Sequence, residues 1–409
     1  MKHLFHKIQT TIGNHLNSSS SQSSRSLSLA VLSLSTLAVL AVTAVAPALG
    51  RIQVSFPQAS KLELQMMLNF PALFLIPFSL LSGQLTLRFK KRHILFTGLV
   101  IYFISGVGSA FIEDFTVFMV LRAFLGIGMG MVTPLSFSLI ADLFSGDKRA
   151  KLMGFSSAVA TSSAILMSLI SGWLALYNWR YALGAYGISL FVFIMVFFYL
   201  PEPQVSDQAV KQAKLPKLVY AVVVFNLFSI VIFNLISNQM AFYLKDTNLG
   251  DSAESGIAIA AYQGAQFLVA LIFDKIYRVL KNNTAIFGLG VSVVGFMILF
   301  AANSLWMIVL AVFITGLGIG TLVPYNALTI SNQVTPDLSG WALSLNTSAL
   351  FAGQFISPFL FSLISTIFGF TSIRFYFLSA AIMCAIVALI IFSVKINHRR
   401  NKLIKASIM

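Results

Sequence analysis

Between Leu27 and Val394 the chain falls into long stretches that hold no Asp, Glu, Lys or Arg. They cover Leu27–Gly50, Leu64–Leu87, Ile94–Ile112, Leu152–Trp179, Tyr181–Pro201, Leu218–Leu244, Ser255–Phe273 and Phe375–Val394. Asn282–Pro336 is long enough for two helices with a break at Ala302-Asn303-Ser304, and Leu338–Ile373 holds one more. Phe115–Ala141 is interrupted only by Arg122. A helix rises about 1.5 Å per residue, so about 20 apolar residues cross the hydrocarbon layer of a bilayer. The pattern predicts an all-α membrane protein with twelve transmembrane helices. Only 10% of the residues are charged, against about 25% in a soluble domain. A chain so poor in charge needs lipid as its solvent.

The net charge of +15 suits nucleic acid at first sight, but its placement argues for a membrane and against nucleic acid. All but six of the 27 Lys and Arg fall in loops on one side of the expected bilayer or in the two tails. The six are Arg122, inside a span, and Arg51, Lys61, Arg180, Lys245 and Arg374 on the opposite side. The positive-inside rule puts both termini in the cytoplasm of a multi-pass cell (plasma) membrane protein. An even number of spans agrees. The expected organisation is a polar, Ser-rich, disordered tail over 1–26, a six-helix bundle over 27–200 and a cytoplasmic linker over 201–217. A second bundle over 218–394 and a basic cytoplasmic tail over 395–409 follow. The first apolar run is too long for a signal-peptide core and is read as a retained helix.

The two bundles carry a repeat. The fourth expected helix reads Gly126-Ile-Gly128-Met-Gly130-Met-Val-Thr-Pro134, and the tenth reads Gly316-Leu-Gly318-Ile-Gly320-Thr-Leu-Val-Pro324. The offset is 190 residues, and it also pairs Gly154 with Ser344 and Ser168 with Pro358. Matching halves are a mark of parallel-repeat transporters. Gly126 with Gly130, and Gly316 with Gly320, are small-xxx-small pairs whose first explanation is close helix packing.

With these motifs the chain resembles the major facilitator superfamily, and within it the twelve-helix bacterial drug–proton antiporters. The loop Gly83-Gln-Leu-Thr-Leu87-Arg88-Phe-Lys90-Lys91-Arg92 is similar to the family's G-x-L-A-D-R-x-G-R-[KR] gating loop. Leu87 stands where the acid usually is, and Lys90 where the second glycine is. The resemblance implies an acidic latch of the second half in the matching loop, at Asp274-Lys275. Arg122 followed by Gly126 is similar to the family's R-x-x-x-G element. The helix-five antiporter signature G-x-x-x-G-P-x-x-G-G aligns with Ser163 to Gly172, but only Gly172 matches and Ser168 replaces the proline. The resemblance implies two pseudo-symmetric six-helix bundles that rock about a midplane site, lined by helices one, four, seven and ten.

The candidate site residues follow from cost. Arg122 lies about 10 Å into its span at a helical rise of 1.5 Å per residue. A buried arginine costs at least about 2.5–3.5 kcal/mol on insertion scales. It suits an anion-binding or coupling role, or a structural hub. The buried amides Asn234, Asn238, Gln263, Asn326 and Asn346 must also face protein or a cavity, since an unpaired amide in hydrocarbon costs several kcal/mol. They are expected to bind solute or serve coupling. Gly83, Arg88, Arg92, Asp274 and Lys275 are expected in gating loops. None of the twelve acids lies deep in a span, so coupled protons, a candidate partner, would need rim acids such as Glu63, Asp142 or Asp274.

The five His lie in tails or a basic loop with no metal spacing, and no Walker A pattern occurs. An enzyme, a metal, a cofactor and direct use of ATP are not expected. The expected function is secondary active transport by alternating access, exporting drug-like or metabolic small molecules. The alternative is an importer or facilitator of a small organic nutrient or anion. The expected partners are a small-molecule substrate and the lipid bilayer, with the chain as a monomer. Substrate identity and direction are not written in the sequence.

Overall fold

The computed structural model describes residues 26–86, 88–144, 146–201, 214–369 and 372–408. The tail expected over 1–26, save Ser26, which opens the first helix, lies outside the described residues, as do most of the linker over 201–217 and the motif position Leu87. Twelve helices are long and apolar enough to cross a membrane. The first six are α1 (Ser26–Ser55), α2 (Lys61–Leu85), α3 (Lys91–Phe111), α4 (Phe115–Ile140), α5 (Gly146–Tyr177) and α6 (Trp179–Tyr199). The second six are α7 (Lys217–Asp246), α8 (Ser252–Leu280), α9 (Thr284–Ala301), α10 (Leu305–Ser331), α11 (Trp341–Phe368) and α12 (Arg374–Ile396). Among the described residues there is no strand. The last helix does not stop at the expected tail boundary but runs on to Ile408.

Local chemistry sets the helix ends. Ser60 and Glu63 form a capping box at the start of α2, and Asp251 with Glu254 forms another at the start of α8. Asp114 and Ser304 cap α4 and α10 by accepting from Val117 N and Met307 N. These side chains satisfy backbone N–H groups that an apolar surrounding would leave costly. Several of the chain's few acids are thus used as caps. Gly369 ends α11 in the left-handed region, with φ 66°, where a side chain is strained.

Spans alternate in direction, so the start of α1 and the end of α12 share one end of the molecule, here the near end. The opposite end is the far end. The repeat is visible in the packing of α4 and α10. A Cβ on Gly126 would stand 2.2 Å from Pro71 O on α2, and one on Gly316 would stand 2.3 Å from Tyr262 O on α8. Gly130 and Gly320 press on the same two partners, at Leu75 O and the Gln266 Cα. The middle glycines, Gly128 and Gly318, face Gly98 O on α3 and Gly288 O on α9. Helix pairs α4–α2 and α10–α8 are therefore built to one plan, and only glycine permits so close an approach. The halves meet through α5 against α8 and α2 against α11. Around the outside, Phe111, Trp306, Leu271 and Phe198 are more than half exposed, a surface suited to lipid.

Candidate functional site

A cavity of about 410 Å³ lies at mid-depth between the two halves. None of its lining residues carries a formal charge. Its two walls differ. The first half supplies small and branched apolar side chains from α1, α2, α4 and α5, with Thr43 and Thr161 as its only hydroxyls. Both hydroxyls donate to carbonyls of their own helix, Thr43 to Val39 O at 3.0 Å and Thr161 to Ser157 O at 3.0 Å. That wall offers almost nothing to a hydrogen-bonding solute. The second half supplies Asn234, Ser237, Tyr262, Gln263, Gln266 and Gln354, beside Phe233 and Phe351.

Below the cavity, toward the far end, buried amides tie the halves together. Asn234 Nδ2 donates to Asn69 Oδ1 on α2 at 2.8 Å, and Asn69 Nδ2 donates to Asn238 Oδ1 at 2.8 Å. Asn238 Nδ2 continues to Ser357 Oγ at 3.4 Å, and Ser357 donates to Val231 O at 2.7 Å. A carbonyl can only accept, so the chain has one direction and every amide in it one orientation. Gln263 makes a separate tie, from Nε2 to Ser168 Oγ on α5 at 3.1 Å. At the far surface Arg51 pairs with Asp251, Lys61 with Asp246 at 2.8 Å, and Lys245 Nζ donates to Gly50 O at 2.9 Å. Nearby, Gly172 of α5 and Gly256 of α8 touch backbone to backbone. The far end is closed.

Of the expected site residues, Asn234 and Gln263 line the cavity and Asn238 lies in the amide chain beneath it. Asn326 and Asn346 do not reach it. They gather with Asn226 inside the second half, where Asn326 Nδ2 donates to Asn226 Oδ1 and Asn226 Nδ2 donates to Asn346 O, both at 3.2 Å. Arg122 does not line the cavity either. It is 1% exposed and packed within the first half. Its Nη1 donates to Tyr186 Oη at 2.7 Å, and Tyr186 donates on to Ala41 O at 3.1 Å. The rings of Phe118 and Tyr186 flank the guanidinium at 4.8 and 5.4 Å. Nε and Nη2 meet no acceptor among the described residues, so aromatic faces take up most of the charge.

The near-end elements also differ from a pair of matched loops. Asp274 and Lys275 lie within α8, not in a loop, and Asp274 pairs with Arg278 one turn on at 2.5 Å. In the first half Lys91 pairs with Asp142 at 2.6 Å, and Arg92 donates to Phe197 O at 2.7 Å. Of the other residues expected in gating loops only Arg88, which is exposed, lies between helices; Gly83 sits in the last turn of α2 with open space around it, and Arg92 in the first turn of α3. Asn69, Ser168 and Ser357 join the site in addition to the residues expected from the sequence. The burial cost applied to Asn234 would have singled out Asn69, a lone amide in a span. The serines carry no comparable signal, because a hydroxyl can return its proton to its own helix.

The sequence model of the Major Facilitator Superfamily matches residues 26–276 and 223–407. The chain belongs to the major facilitator superfamily. Membership makes it a multi-pass membrane protein and a secondary transporter rather than an enzyme. The superfamily chain is similar to the quinolone resistance protein NorA of Staphylococcus aureus (strain Mu50 / ATCC 700699). Identity is 28% over 288 residues, covering 68% of this chain and 74% of that one. Its fold is that of solved superfamily structures. A bacterial homologue of the human lysosomal transporter Spinster, inward-facing and occupied, superposes with TM-score 0.72 at 14% identity, over 90% of this chain and 96% of that one. The inward-open xylose transporter XylE from E. coli gives TM-score 0.68 at 19% identity, over 90% and 95%.

Proposed function

We propose that the chain exports uncharged, amphipathic, drug-like molecules across the plasma membrane by alternating access at the midplane cavity, acting as a monomer. The observation that carries this reading is the cavity itself. It is chargeless, lies between the halves and is closed at the far end by contacts that cross from one half to the other. Similarity to a quinolone resistance protein supports export and a drug-like solute. The basic near-end loops support cytoplasmic termini, which would turn the closed far end outward.

Charge in the cavity decides the solute class. A monocation entering it would lose its water with no carboxylate in return, a cost of several kcal/mol. Proton coupling, on this reading, does not run through the cavity wall. The near-end pair Lys91–Asp142, mostly shielded from solvent, is the stronger candidate among the rim acids. Glu63 and Asp274, each also held by a neighbour, are exposed to solvent.

The test is accumulation of radiolabelled chloramphenicol, an uncharged amide, and of tetraphenylphosphonium, a monocation, in inverted membrane vesicles with and without a proton gradient. The amide should accumulate at least about tenfold better than the cation, the ratio that 1.4 kcal/mol sets. Thr161→Trp, which fills the cavity from its apolar wall, should abolish the accumulation. Equal carriage of the cation contradicts the solute class. Flux untouched by Thr161→Trp contradicts the site. Uptake seen only in right-side-out vesicles would favour the import reading, which the lost helix-five proline keeps in view.

A further inference from the structure

Two cavity amides serve two claimants. Gln263 lines the cavity, yet its Nε2 donates across the half interface to Ser168 Oγ at 3.1 Å. Ser168 Oγ gives its own proton to Ala164 O at 2.8 Å. Its oxygen can then only accept, which fixes the Gln263 amide with N–H toward Ser168. Asn234 also lines the cavity while its Nδ2 reaches across to Asn69. By contrast, the side-chain amide of Gln354, in the same wall, makes no hydrogen bond to a described residue.

We infer that the solute carries a hydrogen-bond acceptor, a carbonyl or ether oxygen, that takes the Gln263 N–H away from Ser168, so that loading the cavity loosens the far end. The inference rests on the cavity being the transport site and adds what the solute must contain and how its arrival is sensed. A ligand shifts a conformational equilibrium only by its difference in affinity between the two states. The competition supplies that difference. With the far end closed, one of the two Nε2 hydrogens is committed to Ser168, and a solute oxygen on that side of the amide must displace the serine. With the halves apart, the same N–H is free. Gln354 anchors the solute without touching the gate, and the apolar first-half wall takes its other face. Linkage then requires that any change releasing Gln263 from Ser168 tightens solute binding.

Ser168→Ala and Gln263→Ala separate this from a structural tie. Both remove the cross-half hydrogen bond, but only Ser168→Ala leaves the amide for the solute. Purified full-length chain in lipid nanodiscs is titrated with radiolabelled chloramphenicol and with progesterone, both uncharged carbonyl compounds. Ser168→Ala should tighten binding by about fivefold and Gln263→Ala should weaken it by about fivefold, the effect of one hydrogen bond. Spin labels at Val54→Cys and Asn248→Cys read the gate, since both positions line the far cleft and the native Cys384 is buried. Their separation should lengthen when either compound is added to the otherwise wild-type pair, and without compound in Ser168→Ala. Weaker or unchanged binding in Ser168→Ala overturns the inference. So does an unchanged separation on loading, or the absence of saturable binding of both compounds. The cavity reading is judged apart from this, by Thr161→Trp. Lost flux there with no tightening in Ser168→Ala sinks the inference alone.

Discussion

Asn69 is the residue on which the closed far end leans most. Its amide sits in the middle of a directed chain, accepting from Asn234 and donating to Asn238. Removing it strands Asn238 Oδ1 and leaves Asn234 Nδ2 with the longer bond to Gln354 O at 3.2 Å alone, and a stranded buried polar group costs about 1–3 kcal/mol. The far-surface pair Arg51–Asp251 is about two-fifths exposed on both sides, where such a pair contributes about 0–1 kcal/mol. Asn69→Ala should therefore shift the spin-label separation between positions 54 and 248 clearly toward the open state, while Asp251→Asn moves it little. The reverse ranking would show that surface charge, and not the buried amides, holds the gate. Arg122 is placed as a hub joining α4, α6 and α1, away from the cavity. Arg122→Lys loses the flat guanidinium between Phe118 and Tyr186. It should lower thermal stability in detergent by several degrees, roughly the effect of 1–2 kcal/mol, while leaving chloramphenicol affinity in the folded fraction within about twofold. A tenfold loss of affinity at unchanged stability would restore a binding role. The cost of buried charge made Arg122 conspicuous in the sequence, but cost cannot distinguish a cavity from an aromatic nest. That distinction depends on Tyr186, which arrives from α6, 64 residues away.

At the scale of helices the glycine spacing carried real information. The 190-residue offset between Gly126 and Gly316 reappears as two equivalent crossings, α4 on α2 and α10 on α8, each too close for a Cβ. Gly126→Ala and Gly316→Ala should each destabilise the protein by about 1–3 kcal/mol through overpacking. Gly154→Ala, at a position with open space around it, should leave stability within about 0.5 kcal/mol. Melting of purified protein checks all three, and equal effects would undo the packing explanation. Other features were harder to read. Asp274-Lys275 looks like a loop latch because charge ends the apolar run there, but the helix continues to Leu280 through solvent-facing turns, where Asp274 finds Arg278. An apolar run marks the hydrocarbon layer and not the helix, so spans were found while their ends were not. The same holds for the last helix, which continues past Val394.

Taken as one body, the molecule is two six-helix halves that touch firmly at the far end around a chargeless cavity. Twelve spans and their pairing into halves were legible, because lipid imposes them on every stretch of sequence. The two unlike walls were not, since which amides face the cavity depends on how α7, α8 and α11 turn against α2 and α5. The central claim is that solute crosses only when the far end opens, and a reversible clamp tests it. Val54→Cys and Asn248→Cys lie on opposite walls of the far cleft, a space of about 490 Å³. They can be bridged by a bifunctional methanethiosulfonate and released by reductant. In reconstituted vesicles the bridge should stop chloramphenicol flux, and reduction should restore it to the level of the unbridged protein. Flux that continues with the bridge in place would contradict the account.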